Sequence, residues 1–174
     1  HTIGRRQRQM CIRDSPYDGG THLSDFRLVK PIYRSGKIFC FLASVGHYHD
    51  VGGNVPGNYN PAATESFQEG VLIPPVKLFK GGVLQQDIID IMSANSRLPG
   101  SLYGDLNGQI NALDLGTKRL NELLDQYGEE LVHEATVELK ARASKLMRAY
   151  ISRLPDGEFE AVDWLDNDGI RDEP

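Results

Sequence analysis

The residues Phe26-Arg27-Leu28-Val29-Lys30-Pro31-Ile32-Tyr33, Arg34-Ser35-Gly36-Lys37 and Ile38-Phe39-Cys40-Phe41-Leu42-Ala43 decide how this chain folds. The first run alternates imperfectly and is rich in β-branched and aromatic side chains, as a strand on a half-buried surface should be. The middle four supply a turn, with Gly36 able to take positive φ. The last six are almost continuously apolar, which suits a strand covered on both faces, although periodicity alone equally allows a short buried helix. If the two runs pair antiparallel across the turn, the start of the first lies beside the end of the second.

Just outside the hairpin stand Thr21-His22-Leu23-Ser24-Asp25 on one side and Gly46-His47-Tyr48-His49-Asp50-Val51-Gly52-Gly53 on the other. Pairing therefore returns His22 and Asp25 to the neighbourhood of His47, His49 and Asp50. Residues three apart share a face of a helical turn but not of a strand, so each His-x-x-Asp pair is expected on a bend. Imidazole and carboxylate without thiolate suit Mn, Fe(II) or Zn rather than a Cys-type structural zinc site. Such a donor set with room for water leaves a coordination position open for catalysis. A hydrogen-bonded polar cluster is the competing reading of the same residues.

Downstream, the Gly-, Asn- and Pro-dense stretch Gly52 to Pro61 reads as irregular backbone over a site rather than as a connector. Ala62 to Gly70 is expected as a short helix with Glu65 and Glu69 on one face, where a carboxylate either serves the site or is simply solvated. Consecutive prolines make Val71 to Phe79 extended, and Lys80-Gly81-Gly82 a turn. Leu84, Ile88, Ile89, Ile91 and Met92 give an amphipathic helix ending near Asn95. Arg97 follows it and can engage an anionic group by two parallel bonds, or equally pair with Asp90 or Asp105. From Gly104 the pattern is helical to Tyr127, and Leu131 to Leu154 form the stripe of a second helix, so an antiparallel helix pair is expected. His133, flanked by Glu130 and Glu134, reads as a surface residue. Glu158 to Trp164 alternates like a terminal strand, and Asp166-Asn167-Asp168-Gly169 reads as a turn.

The 174 residues carry a net charge of −5, with +4 in residues 1–13, −7 in residues 156–174 and −2 between. That middle offers no basic face for nucleic acid. The run Ile38 to Ala43 is too short for a bilayer, and no signal-peptide pattern opens the chain. Cys11 and Cys40 lack metal spacing, which fits a reducing cytoplasm and leaves a disulfide open.

The ordered motifs Pro16-Tyr17-x-Gly19-Gly20-Thr21-His22-Leu23-x-Asp25, His47-x-x-Asp50-Val51-Gly52-Gly53, Pro56-Gly57, Ala63-Thr64-Glu65-x-x-Gln68-Glu69-Gly70, Ile73-Pro74-Pro75-Val76-Lys77-Leu78, Asn95-x-Arg97 and Gly104-Asp105-Leu106 resemble the hydantoinase B / 5-oxoprolinase family, which includes the corresponding acetone carboxylase subunit. The resemblance runs from about Pro16 to Gly169. It implies ATP-dependent opening of a cyclic amide such as 5-oxoproline or a hydantoin. A hydantoinase A-type partner, using ATP and Mg, phosphorylates the amide oxygen, and the present type hydrolyses the activated ring in a hetero-oligomer. On that reading His22, Asp25, His47 and Asp50 hold a divalent metal (Mn, Zn or Fe), His49, Glu65 or Glu69 moves protons, and Arg97 anchors a substrate carboxylate. Two other classes stay open: a metal-dependent ketone carboxylase subunit and an inactive structural fragment.

Where family members often have His-His-x-Asp, this chain has His47-Tyr48-His49-Asp50. Residues 1–15 match nothing in the family, and Arg8 to Ser15 looks like translated sequencing-adapter sequence. Native sequence is thus expected to begin near Pro16, with residues 16–174 a partial domain. The expected architecture is α+β: a hairpin and a loop-rich metal-site region, then an antiparallel helix pair and a terminal strand, together a fragment of a larger fold without nucleic-acid or membrane partners.

Overall fold

The computed structural model describes residues 22–163 and the backbone of 11–13. Its chain forms two compact units that divide after Gln126. The first holds all the described strands and most of the core.

The hairpin is longer than its sequence pattern. β2 (Asp25–Arg34) and β3 (Lys37–His47) pair antiparallel from Asp25↔His47 to Arg34↔Lys37, with a bulge between Ile32 and Tyr33. Ser35 and Gly36 close it at φ 49° and 75°. Two successive positive φ values mark a turn whose twist matches that of paired strands. Phe26 and Leu28 on β2 are buried, as a period of two demands for one face of a sheet.

β1 (Cys11–Arg13) lies between β2 and β4 (Val76–Lys77), giving the strand order β3-β2-β1-β4. Thus a stretch that the sequence pattern places outside the fold contributes backbone to the sheet. β5 (Phe79–Lys80) and β6 (Val83–Leu84) form a small separate hairpin across Gly81-Gly82. The expected helix over residues 62–70 is only a single 3-10 turn, Ser66–Gln68, with the Gln68 side chain accepting from the Thr64 amide.

Three helices follow: α1 (Gln86–Ala94), α2 (Pro99–Tyr127) and α3 (Glu129–Ile151). α2 starts five residues before Gly104 because a proline fits the first helical turn, where its missing N–H is not needed. Leu102, Leu106, Gln109 and Leu113 recur on one stripe of α2 and are buried. The three leucines join Phe26, Leu28, Tyr48, Val51, Ile73, Leu78, Ile89 and Met92 in one core cluster, and Gln109 is a buried polar residue on the same stripe. Each fully buried Leu or Phe contributes about 1.5–3 kcal/mol of transfer free energy. Lys30 pairs with Asp114 and Arg34 with Asp125, both at 2.6 Å, tying β2 to α2 at the surface.

In the second unit α3 has no buried residue among those described, and Leu131, Leu139, Leu146, Met147 and Tyr150 stand exposed along it. Residues 158–163 are irregular and exposed rather than a strand, because no described strand lies beside them to complete a ladder. Trp164 and the 166–169 turn lie outside the described residues. Among the described residues no helix is long and apolar enough to cross a membrane. The architecture is α+β.

Candidate metal centre

The open end of the hairpin sets the site. Asp25 is the first residue of β2 and His47 the last of β3, and they are direct cross-strand partners. The chain enters β2 through a tight turn in which the Asp25 amide donates to the His22 carbonyl at 3.2 Å, bringing His22 onto the Asp25 side chain. Beyond His47 the Tyr48 amide donates to the Ser24 carbonyl at 2.9 Å, so both arms stay joined past the formal strands.

One carboxylate links two imidazoles. Nδ1–H of His22 donates to Oδ2 of Asp25 at 2.9 Å, and Nδ1–H of His47 donates to Oδ1 at 2.7 Å. The rings stand 5.7 Å apart and nearly perpendicular. The Ser24 hydroxyl lies 3.4 Å from both ring nitrogens of His47. Asp25 is 14% exposed while the two histidine side chains are 62% and 61% exposed, so the carboxylate forms the floor and the imidazoles the rim. Burial alone would raise the Asp25 pKa, but the hydrogen bonds from His47 and His22 and their charge together hold it below the ordinary value.

The three residues can each offer a ligand atom within 4.8 Å of the others. Two ligands about 2.1 Å from a tetrahedral ion stand roughly 3.4 Å apart, so the 2.7 and 2.9 Å contacts need only a small opening to admit one. Two imidazoles and one carboxylate are the donors expected of a Mn, Fe(II) or Zn site with open positions. The residues fit a divalent ion.

The remaining candidates fall elsewhere. Asp50, expected as a fourth ligand, is 3% exposed and lies outside that group. Its Oδ1 accepts from the Gly52 and Arg97 amides at 3.1 and 3.0 Å, and its Oδ2 from the Arg97 guanidinium at 2.9 Å and the Gly57 amide at 3.3 Å. Burial pushes this carboxyl up, but the Arg97 amide and guanidinium, with the two glycine amides, outweigh it and bring the pKa down to about 2. Arg97, expected to anchor a substrate, also donates to the carbonyls of Gly52, Gly53 and Val55. Its partner is neither Asp90 nor Asp105 but Asp50.

His49 is exposed and within 3.2 Å of the Ser101 hydroxyl, and Glu65 is exposed at the start of the 3-10 turn. Tyr48, standing where a second histidine was expected, is buried edge-on to Phe26 and donates its hydroxyl proton to Gln109 Oε1 at 2.8 Å. Strand alternation explains the choice: position 47 faces solvent and position 48 the core.

Glu69 is the acid–base candidate that joins the cluster's surroundings. It lines a cavity of about 460 Å³ together with His22, Leu23, Ser24, His47 and residues 57–61. The far wall is braced by Asn58, which accepts from the Val51 amide and donates to the carbonyls of Gly52 and Glu69. Sequence reasoning singles out neither Asn58 nor Tyr59. Two asparagines flanking an aromatic within a Gly- and Pro-rich loop were the available signal, since Asn side chains brace irregular backbone.

Comparison with known proteins bears on this arrangement. The β subunit of a caprolactamase from Pseudomonas jessenii is 39% identical over 160 residues, covering 92% of this chain and 28% of that subunit. The crystal structure of an ATP-dependent caprolactamase from the same organism superposes with a TM-score of 0.79 over 85% of this chain and 26% of that one. A nucleotide-free acetone carboxylase structure, 24% identical, shares the fold with a TM-score of 0.63 over 71% of this chain and 16% of its own. The chain thus spans about 28% of the length of the caprolactamase subunit it matches. Residues 5–173 match the family model described as hydantoinase B/oxoprolinase, a span that begins ahead of the start expected near Pro16, and it is to this family that the chain belongs.

Proposed function

We propose that this chain is part of the hydrolytic subunit of an ATP-dependent cyclic amidohydrolase, and that His22, Asp25 and His47 hold its divalent metal. The observation that carries the reading is the Asp25 carboxylate bonded to both imidazoles at the rim of a cavity. A divalent ion bound there supplies Lewis acidity toward a carbonyl oxygen or a water.

The chain's own groups then divide the work. Asp25 gathers both rings by their Nδ1 atoms, so that the three donors stand together where a divalent ion would take the place of the two protons. To Glu69, which lines the same cavity, we assign the transfer of a proton from water to the leaving nitrogen. Asp50 and Arg97 act on the loop that walls the cavity rather than on the substrate. A lactam is a poor electrophile, so the ATP-using step, phosphorylation of the amide oxygen, belongs to a hydantoinase A-type partner using ATP and Mg. The relatives' designations as a β subunit and as ATP-dependent support such a partnership.

The test uses the complete protein assayed with that partner. Elemental analysis finds close to one equivalent of Mn, Fe or Zn in the wild type and less than a tenth of that in Asp25→Ala or His47→Ala. ATP consumption depends on an added cyclic amide and yields the ring-opened acid. A wild-type protein without metal, or ATP consumption that requires a ketone and bicarbonate instead, overturns the assignment.

A further inference from the structure

The cavity beside the metal centre carries information about which cyclic amide fits it. Among the described residues its lining combines the apolar surface of Leu23, Tyr59 and Pro61 with the two imidazoles, polar side chains and backbone of residues 57–60, and Glu69. No lysine or arginine is among these residues. Arg97, in the loop network, is bound to Asp50 and to the Gly52, Gly53 and Val55 carbonyls.

The charge balance points the same way. A divalent ion on His22, Asp25 and His47 brings two positive charges, and the Asp25 and Glu69 carboxylates bring two negative ones. No described residue of the lining remains to neutralise a second carboxylate, and Glu69 repels one.

Tyr59 supplies the other half. Asn58 on one side makes three hydrogen bonds to the backbone, and Asn60 on the other donates to Asn54 Oδ1 and accepts from the Ala62 amide. Between these two anchors the Tyr59 ring is 87% exposed while still lining the cavity. Those bonds hold the chain on either side of Tyr59, so the ring is kept at the cavity with its face open to an apolar ligand. The 460 Å³ available lies within the range of roughly 300–1,000 Å³ typical of small-molecule sites.

We propose that the site selects uncharged lactams with a hydrocarbon ring over ring amides bearing a carboxylate, with Tyr59 as the residue that contacts the ring methylenes. This rests on the amidohydrolase reading above. The discriminating pair is 2-pyrrolidone and 5-oxoproline, which share a five-membered lactam ring and differ by one carboxylate.

The experiment measures binding of both compounds to the complete Mn-loaded protein by calorimetry without ATP, and then ATP-dependent ring opening with the partner subunit. The expected result is at least tenfold tighter binding and tenfold higher kcat/KM for 2-pyrrolidone. Glu69→Gln narrows the binding gap by several fold. Tyr59→Ala raises KM for the neutral lactam about tenfold with kcat within threefold and metal content unchanged, while Tyr59→Phe stays near wild type. Equal or tighter binding of 5-oxoproline overturns the proposal, as does a Tyr59→Ala protein with unchanged KM. If neither compound is opened but binding favours 2-pyrrolidone, the selectivity stands and the reaction assignment falls.

Discussion

Replacing Arg97 by alanine tests whether the loop over the cavity is held by its ion pair with Asp50. Removing one partner of a fully buried pair costs about 3–5 kcal/mol because a charge is stranded. Two features of the structure lower that figure. The Arg97 side chain is 41% exposed, so solvent already screens it, and Asp50 keeps the backbone N–H groups of Gly52, Gly57 and residue 97. Against this, the substitution also removes the bonds to the Gly52, Gly53 and Val55 carbonyls. About 2 kcal/mol of local stability remains at stake, which corresponds to roughly a thirtyfold faster opening of the loop. Amide hydrogen exchange at Val51, Gly52 and Gly57 measures that opening directly. Arg97→Lys, which keeps the charge but not the planar fork, gives an intermediate rate. Exchange at these amides within threefold of wild type in Arg97→Ala refutes the bracing role.

Other expectations follow from the same geometry. The Asp50 carboxyl, lowered to about 2 from 3.8, contributes about 2 kcal/mol that is fully present above pH 3.8 and lost as pH falls through about 2. Its carbonyl-carbon chemical shift titrates near pH 2, and an inflection near 4 contradicts this. Gly53→Ala lowers the melting temperature more than Gly57→Ala. Both have φ near +80°, at 83° and 80°, but a Cβ at Gly53 would lie 2.5 Å from the Gln68 carbonyl oxygen while Gly57 faces open space. Equal losses in thermal melts remove the steric argument. Gln109→Leu strands the Tyr48 hydroxyl and the Phe26 carbonyl and costs about 2–4 kcal/mol in chemical denaturation. Adding Tyr48→Phe to it recovers part of the loss, and no recovery shows that the hydroxyl was not what suffered.

The hairpin was legible because two local signals agreed: β-rich composition on both arms and a glycine where the turn needs positive φ. That agreement also placed Asp25 beside His47, since the turn fixes register. Asp50 was misplaced for a physical reason. The His-x-x-Asp spacing repeats at residues 47–50, but strand pairing ends at His47, and the side chain of Asp50 is taken up by glycine amides of the following loop. Its charge partner lies 47 positions later, and a long-range ion pair leaves no trace in local periodicity. Residues 62–70 carried helical spacing without the length to nucleate, and one 3-10 turn is what survives. The start of α2 was missed because glycines 100 and 104 obscured the apolar stripe that Leu102 begins. Glu69 could be singled out from sequence, but its distinction from Glu65 comes only from the fold of the surrounding loop.

The two-residue reversal at Ser35-Gly36 sits at the opposite end of the ten-residue β2 from Asp25, roughly 30 Å away along the strand. A Cβ added at Gly36 would meet nothing within 4 Å. A fluorophore or tether attached at the exposed residue 35 therefore leaves the rim imidazoles untouched, which makes this corner the natural anchoring point for single-molecule or surface-immobilised measurements.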